Sequence, residues 1–183
     1  MSTEVNISLC LPHPWSDQDP NTPVLIVSAK PLDCPPNHVL IKVDRFGFSA
    51  NNITYQALGE HPHFRWACLT LISISIINCH RYFDFHPAPE CKESSASPKM
   101  HGLIPVWGFG TIAKSSHPKI QDGKRVYGYF APTRYLLVAL SSSDVNKFSF
   151  YVSRPHLPAG TFNKWSRSHN PLKRQTNHRS SPL

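Results

Sequence analysis

The sequence is poor in the residues on which several common classes of protein depend. Only 11 of its residues are acidic, and none of them follows Asp144. Its five cysteines are odd in number and form no Cys-x-x-Cys pair, so they fit neither a disulfide framework nor a zinc site. No apolar run reaches the roughly 20 residues of a membrane-spanning helix, and the first residues lack the pattern of a signal peptide. We therefore expect no membrane association and a reducing, cytoplasmic location.

Proline is abundant, and positive charge is concentrated at the end of the chain. The 18 prolines outnumber the 8 glycines, which favours turns and short strands over long helices. Residues 1–144 carry 12 Lys and Arg against 11 acids, whereas the residues after Asp144 carry seven Lys and Arg and no acid. Such a basic tail could bind the phosphates of a nucleic acid. The alternative, which we favour, is a solvated and disordered end, so a nucleic-acid partner is not expected.

The segment Trp66–Arg81 differs in composition from its polar, histidine-bearing flanks. It reads WACLTLISISIINCHR, with no charge before its last residue. A single buried or edge strand is one interpretation. We favour a translated, unspliced intron, because Arg65-Trp66 can encode a GT splice donor and Cys79-His80-Arg81 an acceptor. The 16 codons also preserve the reading frame. On this interpretation the segment was never selected to fold.

Short β-rich segments separated by turn residues make up most of the remaining chain. A helical segment of one or two turns is predicted to begin at Ala50 and to end near Gly59. The predicted strands are Val24–Ala29, His38–Ser49, Leu103–Ser116, Arg125–Phe130 and Arg134–Leu140. Because strands and helices do not alternate, the pattern predicts a mainly β fold with a partly open barrel. Residues 1–22 are predicted to be an irregular lead-in, and residues 160–183 a disordered basic tail.

Three of these segments, in their order, resemble a known domain. VLIKVDRFGFSANNITYQALG, GFGTIAKSS and GKRVYGYF are similar to the GroES-like N-terminal domain of the medium-chain dehydrogenase/reductase superfamily. More narrowly, ALGEHPHFR joined directly to YFDFHPAPE, followed by HGLIPVWGFGTI and RPHLPA, resembles the quinone-reductase-like DUF2855 proteins. The likeness covers residues 23–65, 82–92 and 98–159. It implies a GroES-like domain over residues 23–159, interrupted at 66–81 and lacking the Rossmann domain that follows in the family.

The resemblance also indicates which site residues to expect. Zinc-dependent relatives hold their catalytic metal with Cys, His and Glu at the positions that are Ser49, Val106 and Trp107 here. The likeness is therefore to the zinc-free branch, in which side chains near Ser49, Asn52 and Tyr55 would face the substrate cleft. The alternative is that these polar residues only cap the segment after the strand. The two interpretations remain open.

The histidines do not form a convincing metal site. His61 and His63 are the only close pair, and the proline between them predicts an extended loop. His80 lies in the suspect insert, and His86 is taken as a surface histidine like the others. No metal ligand is therefore predicted.

The segment GFGTIA formally matches the G-x-G-x-x-A dinucleotide fingerprint. That fingerprint requires a strand-to-helix turn, whereas the residues that follow contain Pro118 and predict no helix. The glycines more plausibly allow a barrel strand to bend. No cofactor is predicted for this chain, and NAD(P)H is expected only for an intact relative that acts on a small carbonyl or quinone-type ligand.

The sequence thus predicts an incomplete quinone-reductase-like oxidoreductase. It would retain only the substrate-side domain and be inactive alone, with no catalytic residue assigned. The alternative is a non-enzymatic protein that contacts nucleic acid or another polyanion through its basic tail.

Overall fold

A computed structural model describes residues 5–13, 19, 22–29, 31, 33–58, 82–89, 97, 99–141, 145–146, 148–154 and 164–167. The predicted intron-derived insert at 66–81 lies outside these residues. The strands are β1 (Val5–Pro12), β2 (Val24–Ala29), β3 (His38–Phe46), β4 (His101–Gly102), β5 (Val106–Ser115), β6 (Arg125–Phe130), β7 (Tyr135–Ala139), β8 (Ser149–Tyr151) and β9 (Lys164–Arg167). The helix α1 spans Ala50–Leu58, and a 3₁₀ turn spans Tyr82–Asp84.

The strands form two sheets, and every pairing between the strands described is antiparallel. The smaller sheet has the order β2-β1-β4, and the larger has the order β7-β3-β5-β6-β9-β8. The outer strands of the larger sheet approach each other, because Leu140 bridges to Val152 and Ser153 N donates to Ala139 O at 2.8 Å. The larger sheet therefore curls towards closure. The predicted mainly β fold with a partly open barrel is confirmed.

The barrel encloses an aliphatic and aromatic core. Side chains of β5 alternate between the interior and the surface, as expected for a strand with one buried face. Val39 and Ile41 of β3 and Val126 of β6 point into the same interior and are fully buried. Two rings complete the core, since Phe130 and Trp165 lie 4.4 Å apart between ring centroids. Because these side chains occupy the interior, the alternate side chains of β5 and β6 face outwards.

The helix α1 follows β3 as predicted. Its nine residues make about two and a half turns, slightly more than the one or two turns expected after Ser49. Within the described part of the chain, no helix is both long enough and apolar enough to cross a membrane.

Residues 1–22, predicted to be an irregular lead-in, include the strand β1. This strand pairs with β2 from Val5 opposite Ala29 to Cys10 opposite Val24, and its last two residues pair with β4. Its buried side chains include the polar Asn6 and Ser8, whereas its aliphatic Ile7 is exposed. The sequence pattern was missed because the polar residues face inwards, where they bond to a segment more than 120 positions away.

Four residues of the tail that was predicted to be disordered, Lys164–Arg167, form the strand β9. Lys164–Arg167 pairs with both β6 and β8. Trp165 is fully buried in the barrel core and packs on the backbone of Gly128. The other residues of the predicted tail lie outside the described ones.

Candidate functional site

The outer surface of β5 and β6 carries three exposed aromatic rings, which we call the aromatic face: Trp107, Phe109 and Tyr127. Their exposed fractions are 36%, 40% and 39%. Trp107 and Tyr127 are stacked with ring centroids 5.5 Å apart and an angle of 16° between the planes. Phe109 lies 5.0 Å from Tyr127, between the centroids. The three rings thus form a continuous aromatic surface on the barrel.

A second group of rings, the tyrosine cluster, continues this surface beneath α1 and the 3₁₀ turn: Tyr55, Tyr82, Phe85 and Tyr129. Tyr55 and Tyr82 are stacked with centroids 3.9 Å apart. Phe85 meets Tyr129 edge-on at 5.1 Å. The two groups are joined where Trp107 approaches Tyr129, at 4.9 Å between centroids.

Two phenols of the tyrosine cluster, those of Tyr82 and Tyr129, are held in their protonated form. Burial, and then the neighbouring Tyr55, raise the pKa of Tyr82 to about 12. Burial is also the main cause of a raised pKa at Tyr129. At neutral pH these two groups therefore remain neutral phenols.

The predicted residues Ser49 and Asn52 are in contact at the start of α1. Ser49 N donates to Asn52 Oδ1 at 2.8 Å, and Asn52 N donates to Ser49 O at 2.9 Å. Asn52 is buried, and its Nδ2 donates to Pro105 O at 2.9 Å, which anchors the helix to the start of β5. These contacts are those of a helix cap, the alternative role considered for these residues.

Tyr55 lies one turn further along α1, in the tyrosine cluster. Its ring contacts Tyr82 and Tyr129, which the sequence did not link to it. The segment that precedes α1 lies beside the aromatic face, because Gly47 N donates to Trp107 O at 3.0 Å. Ser49 is exposed next to it. Ser49 and Tyr55 thus lie at two borders of the aromatic surface.

We expect Asn52→Ala to destabilise the protein by about 2 kcal/mol, since it removes a helix cap and leaves a buried carbonyl unpaired. Chemical denaturation of the two proteins measures the difference. Asn51→Ala is the matched control, because Asn51 is exposed on the same helix. Equal stability of the two variants would contradict the capping role.

A buried arginine lies under the tyrosine cluster. Arg154 Nε donates to Phe85 O at 3.2 Å, and its guanidinium lies 5.2 Å from the centroid of the Phe85 ring. Burial lowers its pKa to about 10, so it keeps its charge at neutral pH. Arg154 therefore ties the 3₁₀ turn to the rest of the barrel.

His86 was expected at the surface and is instead buried. Its Nε2 lies 3.0 Å from Tyr129 O, to which it can only donate, and 3.3 Å from Arg154 Nη2. Burial, followed by the charge of Arg154, lowers the pKa of His86 to about 3. His86 therefore remains neutral throughout the physiological range.

This burial predicts a loss of stability in acid. The unfolded state takes up a proton on His86 near its ordinary pKa of 6.5, whereas the folded state resists protonation until about 3. Stability due to His86 is complete above pH 6.5 and is lost as the pH falls towards 3, by up to about 1.4 kcal/mol per pH unit. We expect the free energy of unfolding, measured with urea at several pH values between about 4 and 7, to depend less on pH for His86→Gln than for the parent. The same pH dependence in both proteins would show that folding does not lower the pKa of His86.

The segment GFGTIA does not fit a dinucleotide. Gly108 and Gly110 lie within β5, paired with β3 on one side and β6 on the other. A Cβ atom at Gly108 would approach Arg45 O to 2.6 Å, and one at Gly110 would approach a methyl of Ile41 to 2.6 Å. These glycines are required by the close approach of neighbouring strands. The strand continues to Ser115 where the fingerprint would need a helix.

The three residues that the resemblance aligns with zinc ligands have different surroundings in the structure. Val106 points into the barrel core, whereas Trp107 belongs to the aromatic face and Ser49 caps α1. Among the described residues no three His, Cys, Asp or Glu side chains come together in a way that could hold a metal ion. His61, His63 and His80 lie outside the described residues. The absence of zinc from the protein stays a prediction.

Sequence reasoning missed the aromatic face, although a signal for it exists. In WGF and YGY two aromatic residues stand two positions apart, which places Trp107 and Phe109 of β5, and Tyr127 and Tyr129 of β6, on one face of each strand. The pattern was interpreted only as a bent barrel strand. His86 and Arg154 have no local signal, because their contacts join distant parts of the chain.

The fold and site thus define an antiparallel, partly open barrel with an aromatic outer face. The sequence model of one family, described as a protein of unknown function (DUF2855), matches residues 46–180, and the chain belongs to this family. The match continues past Ala159, where we expected the likeness to end. No curated protein matches the sequence.

Proposed function

We propose that the aromatic face binds a flat carbonyl compound of the quinone type. The barrel would then be the substrate-side, GroES-like domain of a quinone-reductase-like oxidoreductase. The observation that supports this proposal most strongly is the continuous aromatic surface formed by Trp107, Phe109 and Tyr127.

The chemistry of the surface suits a flat ligand. Exposing three adjacent rings to water is unfavourable, whereas a planar ring system laid across them removes apolar area from water on both sides. Each favourable aromatic pair adds about 0.5–1.5 kcal/mol beyond this burial. Arg125 lies 5.3 Å from the Phe109 centroid and adds a cation at the border of the surface.

Hydrogen-bond donors border the aromatic surface as well. Ser49 is exposed beside the segment that bonds to Trp107. Its hydroxyl donates to Asn52 Oδ1 at 3.2 Å, and it would have to rotate away from this acceptor to donate to a carbonyl oxygen of the ligand. Tyr55 lies in the tyrosine cluster, which adjoins the aromatic face where Trp107 approaches Tyr129. Asn52 would act indirectly, by holding Ser49 and the first turn of α1 in place.

The described residues would orient an acceptor rather than reduce it. The GFGTIA segment does not fit a nicotinamide nucleotide, so we derive no hydride-transfer step from it. We therefore propose that the described barrel binds the acceptor without turning it over.

Binding is tested with a naphthoquinone whose two reactive quinoid carbons carry methyl groups, so that it cannot alkylate cysteines. Calorimetric titration should give saturable binding to the parent, and Trp107→Leu should weaken it about tenfold through loss of a stacking partner. Phe148→Leu is the matched control, since Phe148 is another exposed ring that lies outside the aromatic face. Equal weakening by both variants, or none by Trp107→Leu, would overturn the proposal.

A further inference from the structure

The ribbon formed by β1 and β2 exposes aliphatic side chains on its outer face, although two polar residues of β1 face inwards. Asn6 and Ser8 of β1 face inwards. The opposite face carries Ile7 across from Val27 and Leu9 across from Leu25. Leu25 is 63% exposed and Val27 54% exposed. A sheet with one solvated face ordinarily presents polar side chains to water. Because this face is aliphatic instead, it is a candidate binding surface.

The inward polar residues form hydrogen bonds that fix which face of the ribbon points outwards. Asn6 Nδ2 donates to Tyr135 O at 3.1 Å, and Tyr135 N donates to Asn6 Oδ1 at 2.7 Å. The hydroxyls of Ser8 and Thr133 are 2.8 Å apart. Slipping the register of β1 by one residue would break all of these bonds. The aliphatic side chains are therefore held outwards by a rigid support.

A cleft of about 390 Å³ opens between this ribbon and the end of β3. We call it the ribbon cleft, and its apolar walls are Ile7, Leu9, Leu25, Val43, Phe46 and Pro132. Its volume falls within the range of about 300–1,000 Å³ that is typical of small-molecule sites. The walls alone would accept an aliphatic chain.

The charged side chains that line the cleft indicate the charge of the polar end of such a ligand. Arg45 and Arg134 line it together with a single acid, Asp44. The carboxylate of Asp44 already accepts the hydroxyl of Thr111 at 2.7 Å. The guanidinium of Arg134 lies 5.7 Å from the centroid of the Tyr135 ring, a cation–π distance that orients it. Two guanidinium groups against one engaged carboxylate favour an anion.

We propose that the ribbon cleft binds an amphipathic anion, namely an aliphatic chain that ends in a carboxylate. The chain would cover the exposed leucine and isoleucine side chains of the ribbon, and the carboxylate would meet Arg45 and Arg134. The residues that line the ribbon cleft are not those of the aromatic face, so the proposal does not rest on quinone binding.

Titration with hexanoate, octanoate and decanoate tests the apolar part of the proposal. Each added methylene that is buried should tighten binding about fourfold. Leu25→Ser should reduce this dependence on chain length, and because Leu25 is exposed the variant should remain folded. Affinity independent of chain length would overturn the proposal.

The charged part is tested with the double variant Arg45→Glu and Arg134→Glu. Decanoate affinity should fall at least about tenfold, while the weaker binding of decanol should not change. Lys124→Glu is a control for net charge, because Lys124 lies in the turn before β6, outside the cleft. An equal loss with Lys124→Glu would contradict a specific site. Sedimentation showing that the ribbon instead joins two copies of the chain would also overturn it.

Discussion

Replacing Trp165 with alanine is expected to destabilise the protein by about 3–5 kcal/mol, the usual cost of emptying a buried aromatic site. The ring is fully buried and packs 4.4 Å from Phe130 and 5.9 Å from Phe150, between centroids. Its loss would leave a cavity between β6, β8 and β9. Thermal or chemical denaturation measures the effect.

Two further substitutions separate this packing from a general effect of removing tryptophan. Trp107→Ala should cost only about 1 kcal/mol, because Trp107 is partly exposed and loses mainly its aromatic pairing. Gly128→Ala should destabilise by about 1–3 kcal/mol, since the added methyl would lie 2.5 Å from the indole of Trp165. If Trp165→Ala were as mild as Trp107→Ala, β9 would not be part of the folded barrel.

Replacing Asn6 with alanine is expected to cost about 2–4 kcal/mol, because it removes several buried hydrogen bonds. Tyr135 would lose the bonds of both its backbone N–H and its carbonyl to Asn6, and Thr133 would lose one acceptor of its hydroxyl while keeping its contacts with Tyr135 O and Ser8. Denaturation in urea again gives the difference from the parent.

Val5→Ala is the control for this substitution, because Val5 precedes Asn6 on the exposed face of the same strand. It should change stability by no more than about 0.5 kcal/mol. Equal effects of the two substitutions would show that β1 does not use Asn6 as an anchor.

Asn6 and Trp165 also mark two strands that the sequence alone did not predict. The strands β2, β3, β5, β6 and β7 follow from β-rich segments bounded by turn residues, because each has enough aliphatic side chains to reveal its buried face. In β1 the expected pattern is reversed, and only the distant Tyr135 shows why Asn6 is inside. In β9 a single tryptophan is buried, and its place depends on the lack of a side chain at Gly128.

The candidate site shows the same division between local and distant information. The contact of Ser49 with Asn52 could be predicted, since capping joins residues three positions apart at the start of a helix. The stacking of Tyr55 on Tyr82 could not, because the two residues are 27 positions apart and most of that interval lies outside the described residues. The alternation of aromatic residues around Trp107 carried the missing signal.

The most direct test of quinone binding at the aromatic face is fluorine NMR of protein labelled with fluorotryptophan. The chain has four tryptophans, of which Trp107 lies on the aromatic face and Trp165 in the core. Single substitutions by phenylalanine assign the two resonances. Adding the dimethylated naphthoquinone should shift the Trp107 resonance in a saturable way and leave that of Trp165 unchanged. A Trp107 resonance that does not move at saturating ligand would contradict the account.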